Sequence, residues 1–203
     1  GITRLGAVVF GAQQGMCGNF NKIIGDYTVD ALTGLERERE EIEFLIMGTR
    51  IGGFIDNRLI AEQESLPLPT TVSRIVAVIE RMLPLLDRWL REKKVDGIIL
   101  LYNKTEEGAS FSPTLEYLLP LDPEWLASLE EERWDSNTLP EFSLEWKHLF
   151  SRCLRQWLFI ALYRACAESL ASENSSRLAS MQAAEQNIEE YLSGRRREYN
   201  QQR

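Results

Sequence analysis

The chain has 203 residues, enough to bury a real core, and its 44% hydrophobic and 27% charged composition is that of an ordinary folded domain rather than a disordered tail. A net charge of −8 argues against a nucleic-acid footprint, which needs a basic face, and gives no general attraction to anionic lipid. Three cysteines (Cys17, Cys153 and Cys166) cannot form a fully paired framework and lack metal-ligand spacing, so a reducing compartment fits best. No apolar run reaches the roughly 18 residues that span a bilayer, and no secretory leader is visible.

Residues 4–10 (RLGAVVF) are a short apolar run ending at glycine, the pattern of a buried strand. A glycine-rich stretch, residues 11–21 (GAQQGMCGNFN), leads into a helix through Ile23, Ile24, Tyr27, Val29, Leu32 and Leu35. That helix dissolves into ERERE at 36–40, read as a solvated helix end. Residues 41–48 (EIEFLIMG) form a second buried strand, and Gly52, Gly53, Pro67 and Pro69 mark irregular connections. From 71 to 94, Val72, Ile75, Val76, Ile79, Met82, Leu83, Leu86, Trp89 and Leu90 make a helical stripe. Pro84 inside it predicts a kink or a division into two helices.

A third buried strand covers 96–103 (DGIILLYN), and residues 110–121 (SFSPTLEYLLPL) supply an edge strand, with Pro113 tolerable only at an edge or end. Strand, helix, strand, helix, strand with apolar strands implies parallel pairing and right-handed crossovers. The expected fold is therefore α/β: a three-layer α/β/α body with a mostly parallel sheet and one antiparallel edge strand. Residues 122–140 are acidic and are expected to be irregular.

After Pro140 there is no proline. Leu149, Phe150, Cys153, Leu154, Trp157, Leu158 and Ala161 follow one helical face, continued by Leu170, Asn174, Leu178, Met181, Ala184, Ile188 and Leu192. Glu168, Glu173, Arg177, Gln182 and Glu185 lie off it. An unbroken helix here would reach on the order of 70 Å, so it projects beyond its own domain and part of its stripe must meet something else. The division expected is 1–140 for the body and 141–203 for a long C-terminal shaft helix.

The glycine loop follows a strand and precedes a helix, as a phosphate cradle does. However, it ends Gly-Asn-Phe rather than Gly-Lys-Ser/Thr, and Gly11, Gly15 and Gly18 are spaced four and three apart, which fits no dinucleotide fingerprint. Turns and close helix-to-sheet contact explain these glycines better. Cys17 at a helix start could be a nucleophile, yet the only histidine, His148, lies far along the chain and has no Cys or His cluster around it. No catalytic constellation, cofactor site or metal site emerges. The Arg195, Arg196, Arg197 and Arg203 cluster is either a solvated helix end or an electrostatic contact with an acidic sleeve.

The residues 169–203 (SLASENSSRLASMQAAEQNIEEYLSGRRREYNQQR) resemble the C-terminal signature of the rotary F-type ATP synthase gamma subunit, at Ser172, Glu173, Arg177, Met181, Asn187, Tyr199 and Asn200. The body is similar in order: GMCGNFN at Gly15, Met16, Cys17, Gly18 and Asn21, MGTRIGGF at the second strand exit, VDGIILLYNK ending in Tyr102 and Asn103, and LLPL at 118–121. The family usually has an acidic residue before this glycine, where Gln13 and Gln14 stand here, which points to a divergent branch. The cysteine insertion of the photosynthetic forms is not recognisable.

The resemblance implies a noncatalytic central-stalk subunit, without cofactor, that transmits torque between the membrane ion-translocating ring and the catalytic hexamer. Its implied partners are the alpha and beta subunits, the epsilon subunit and the c-ring, with no nucleic acid and no direct membrane insertion. Its implied place is peripheral, on the cytoplasmic face of an energy-transducing membrane or the matrix or stromal equivalent. Ser172, Glu173, Arg177, Met181 and Asn187 are then expected at shaft and hexamer contacts, and Gly15, Cys17, Gly18 and Asn21 at structural turns or rotor-foot contacts. The chain is expected to be a fragment lacking the family's N-terminal helix, whose isolated form self-associates through an uncovered seam. The alternative is a small-ligand or nucleotide-binding α/β module with a docking helix.

Overall fold

The computed structural model describes residues 2–35, 41–55, 63–106, 110–131, 136, 138 and 141–203. The elements in chain order are β1 (Leu5–Phe10), α1 (Phe20–Gly34), β2 (Ile42–Met47), β3 (Gln63–Leu66), α2 (Ile75–Arg91), β4 (Gly97–Thr105), β5 (Phe111–Leu119), α3 (Pro123–Glu131) and α4 (Trp146–Gln202). They build one sheet in the order β3-β2-β1-β4-β5. Pairing is parallel except between β4 and β5, which run antiparallel. The strands at 4–10, 41–48, 96–103 and 110–121 are thus found within a residue or two. The ERERE stretch at 36–40 lies outside the described residues.

Alternation along the strands sorts the core into two layers. Val8, Phe10, Leu45, Met47, Ile98, Leu100 and Tyr102 point to one face, covered by Ile75, Ile79, Met82, Leu86 and Trp89 of α2 and by Ala161, Leu162, Ala165 and Cys166 of α4. Leu5, Ala7, Val9, Ile42, Phe44, Ile46, Ile99 and Leu101 point to the other, against Ile24 and Leu32 of α1 and Ile51 and Ile55 of the loop after β2. Both faces are covered, which is why the central strands read as continuous apolar runs.

Three details differ from the sequence reading. β3 was hidden because QESL carries no apolar run; it is a four-residue edge strand. Pro84 does not divide the helix: α2 runs unbroken from Ile75 to Arg91. Pro84 is exposed, so the carbonyl that loses its partner one turn back faces water rather than core. Finally, the acidic stretch after 122 is not wholly irregular. Pro123 opens α3, and the Asp122 carboxylate accepts the Glu124 N–H at 2.9 Å, a capping arrangement with proline at the first helical position.

Asp96 fastens the start of β4 to the residues before β1. Its two carboxylate oxygens accept the Thr3 N–H at 2.9 and 2.8 Å, and one of them also accepts the Arg4 N–H at 2.9 Å. These amides, that of Thr3 first, hold its carboxyl below the usual aspartate range. A depressed folded pKa gives stability that is present above the unfolded value and lost as pH falls through the folded one. Asp96→Asn is therefore expected to melt modestly below the parent at neutral pH, with the gap closing in acid. Thermal melts from neutral to strongly acidic pH check this, and a gap independent of pH would refute it.

The loop and helix junction as candidate functional site

The residues singled out in the sequence converge where the loop after β1 meets the middle of α4. Gly11 continues β1, donating to the Met47 carbonyl at 2.8 Å, and its hydrogen faces Ile51 so closely that a Cβ would sit 2.3 Å from Ile51 Cβ. The loop is then tied on three sides. The Ala12 N–H donates to Asn21 Oδ1 of α1 at 2.8 Å, and the Ala12 carbonyl accepts the Arg50 N–H at 3.1 Å. Gln13 accepts Thr49 Oγ1 at its carbonyl (3.1 Å), and its side-chain Oε1 accepts the Leu68 N–H (2.9 Å).

The remaining side is α4. Gln13 N–H and Gln14 N–H donate to different oxygens of the Glu173 carboxylate, at 3.1 and 3.0 Å. Glu173 is only 2% exposed, and its charge is balanced by a close hydrogen-bonded ion pair with Arg177, one helical turn on. Arg177 spans outward in both directions: its Nε donates to the Gly15 carbonyl at 3.2 Å and its Nη1 to Asn174 Oδ1 at 2.7 Å. Ser176 Oγ donates to the Cys17 carbonyl at 2.7 Å, and Ser172 Oγ to the Asn103 carbonyl at 3.0 Å. Glu168 accepts the Thr105 N–H at 3.4 Å, so polar residues along α4 hold both the β1 exit and the β4 exit.

Backbone geometry explains the glycines selectively. Gly18 has φ of +54°, and a Cβ there would lie 2.9 Å from Ser180 Oγ, so both conformation and the approach of α4 favour glycine. Gly15 stands in open space, and Met16 beside it is 75% exposed with φ of +60°. Burial, and secondarily the Glu173 charge, push the Cys17 thiol up, and burial alone pushes Cys166 up to about 12. These environments oppose a thiolate. Tyr102 is pushed up to about 12 by burial and by Glu116, to which its hydroxyl donates at 3.0 Å; Glu116 is in turn paired with Arg164 of α4.

Of the residues expected at partner contacts, Arg177 meets Gly15, Glu173 holds the neighbouring Gln13 and Gln14 amides and Ser172 holds Asn103, while Cys17 is met by Ser176, Gly18 lies against Ser180 and Asn21 holds the loop from the α1 side. Met181 and Asn187 stand apart on the exposed continuation of α4. Sequence reasoning missed Thr105 and Ser176 as members of the junction and named Gln13 only as a departure from the family; Thr105 and Gln13 reach α4 through their backbone N–H groups, which no side-chain pattern reports. Among the described residues no group of three His, Cys, Asp or Glu side chains could hold a metal, and no helix is long and apolar enough to cross a membrane.

A family model described as ATP synthase matches residues 2–203. The chain belongs to the ATP synthase gamma family. It is 24% identical to the ATP synthase gamma chain of Polynucleobacter asymbioticus over 207 aligned positions, covering 100% of this chain and 69% of that relative. The gamma chain of Polynucleobacter necessarius subsp. necessarius gives the same identity and coverage. The fold is that of the Tetrahymena thermophila mitochondrial ATP synthase central stalk and c-ring structure (TM-score 0.62, 17% identity, 91% of this chain and 78% of that one). The Euglena gracilis mitochondrial ATP synthase rotor is similar to the same degree (TM-score 0.61, 18% identity, 100% and 74%). As in that fold, a mixed five-stranded sheet carries a long C-terminal helix.

Proposed function

We propose that this gamma-family chain is a noncatalytic central-stalk subunit of a rotary F-type ATP synthase, transmitting torque between a membrane ion-translocating ring and a catalytic alpha-beta hexamer. The family match over residues 2–203 carries the reading. The geometry supports it: α4 has 57 residues, about 85 Å of helix, and only its middle is buried against the sheet. A helix anchored at its middle and extending past its domain is suited to carry rotation, because hydrogen bonds and packing fix it to the body while its far part remains available to a partner.

In this reading residues 1–140 form the body and 141–203 the shaft. Met181 and Asn187 reach hexamer surfaces directly, and the exposed loop tip at Gly15 and Met16 is a turn open to a rotor-foot contact. Ser172, Glu173 and Arg177 support those contacts from the junction, and Cys17, Gly18 and Asn21 shape the loop. The epsilon subunit and the c-ring meet the body, and the protein is peripheral, on the cytoplasmic, matrix or stromal side of its membrane. The direct test mixes the full-length protein with cognate alpha and beta subunits and measures Mg-ATP hydrolysis with and without it. Co-assembly with turnover that depends on this subunit is expected. No complex, with partners that assemble around another gamma subunit, would overturn the reading.

A further inference from the structure

In open parallel sheets, ligands bind beyond the carboxyl ends of the strands at the point where the winding reverses. Here β1 connects toward β2 and β3 on one side, and the chain then crosses to β4 on the other, so the reversal lies between β1 and β4. The loop after β1 sits at that crevice, where nucleotide-binding proteins with doubly wound sheets place a phosphate. The crevice is not open. α4 crosses it, with Ser172 on the Asn103 carbonyl at the end of β4 and Glu173 on the Gln13 and Gln14 amides.

We propose that the Gln13–Gln14 amide pair with Arg177 is an oxyanion-binding site whose ligand is the chain's own Glu173 carboxylate, a tethered anion that locks the loop onto α4. The recognition set is that of an anion site rather than of a helix surface pair. Two consecutive N–H groups each take a separate carboxylate oxygen, a guanidinium takes one of those oxygens again, and the anion is 2% exposed. Arg177 also closes a ring by donating to the Gly15 carbonyl, so the guanidinium holds anion and loop together. Fixing the backbone at Gln13 fixes its neighbours too, because Thr49 and Leu68 bond to the same residue. The site is chemically complete with a carboxylate from within, which explains why a glycine loop at the switch point has no Gly-Lys-Ser/Thr ending: no free phosphate has to be held.

The sharp consequence is chemical rescue. Glu173→Ala leaves two amides and a guanidinium facing a cavity the size of a carboxylate, and a small free carboxylate should refill it. The experiment follows hydrogen exchange at Gln13 and Gln14 in the full-length protein, with sodium formate compared against sodium chloride at matched ionic strength. In the parent these amides are expected to be protected and indifferent to formate. In Glu173→Ala they should exchange about tenfold faster or more, with formate, and not chloride, restoring protection. Ser176→Ala, which removes only the bond to the Cys17 carbonyl, should leave both amides protected. Exchange unchanged from the parent in a Glu173→Ala protein whose β1 and β4 amides remain protected would overturn the proposal, and so would rescue by chloride equal to that by formate. If Glu173→Ala does not fold, Glu173→Gln decides: its single amide oxygen can satisfy one N–H, so one of the two amides should lose protection, and parent-like protection of both would overturn the idea. The mechanical meaning, that the lock makes loop and shaft turn as one, rests on the rotor reading. That reading fails separately, through absence of co-assembly by the parent protein, whereas the exchange data are read on this chain alone.

Discussion

Trp89→Ala is expected to lower the unfolding free energy by about 3–5 kcal/mol, a large share of the roughly 5–15 kcal/mol that holds a domain together. Trp89 is 1% exposed and is one of the largest fully buried side chains of the core. Its slot exists because Gly6 of β1 has no side chain: a Cβ there would lie 2.6 Å from Trp89 Cε3 and 2.7 Å from Cζ3. The indole therefore rests on bare strand backbone, and the residues around it belong to a sheet that cannot collapse into the space left behind. Gly6→Ala attacks the same contact from the other side and is expected to cost about 1–3 kcal/mol by overpacking. Because both changes act on one slot, Gly6→Ala combined with Trp89→Leu should cost less than the sum of the two single changes. Urea denaturation of the four proteins measures this cycle. Strict additivity would show that the indole and Gly6 do not share the slot.

What the sequence made legible follows from burial on two sides. β1, β2 and β4 are covered on both faces, so each reads as a run of apolar residues without needing alternation. The edge position of β5 was recognisable through its Pro113, which pairs with Asn103 on an outer strand, where proline is tolerated. β3 escaped because Gln63, Glu64 and Ser65 are polar and the strand is short; its pairing is decided by β2, not by its own side chains. α3 escaped for a different reason: an acidic, proline-punctuated stretch suggests a loop unless Asp122 is recognised as the cap before Pro123.

The junction was legible as a set of residues but not as a place. Glu173 lies off the apolar stripe of its helix, and a glutamate off the stripe reads as solvated. It is buried because the Gly11 to Asn21 loop packs on that second face, a long-range fact that periodicity within the helix cannot contain. Resemblance singled out Glu173 and Arg177; only the fold brings them to the loop after β1, across separations of 160 for Glu173–Gln13 and 162 for Arg177–Gly15. The helix thus changes character along its length. Around Ala161 to Ser176 it is a core element packed on the sheet, and beyond Ser176 its apolar residues lie in solvent.

That change of character sets the second large expectation. Leu178, Ile188 and Leu192 are 58%, 60% and 50% exposed, and with Met181 they continue one face at steps of three, four and seven. Replacing the three by glutamate removes no contact with the sheet, so the chain's own stability should change by no more than about 0.5 kcal/mol per site. Against a hexamer lined to receive the shaft, the same substitutions withdraw three apolar side chains, worth about 1.5–3 kcal/mol each when buried, and add three charges that would need desolvation. A loss of more than about 4 kcal/mol corresponds to roughly a thousandfold weaker assembly. Titrating alpha and beta subunits with parent and triple variant, while following melting of each chain alone, separates the two effects. Parent-like assembly by the variant would show that this face is not where the shaft meets its partners. Joint loss of assembly and of the chain's own melting transition would place the face in the folding core instead, against its exposure.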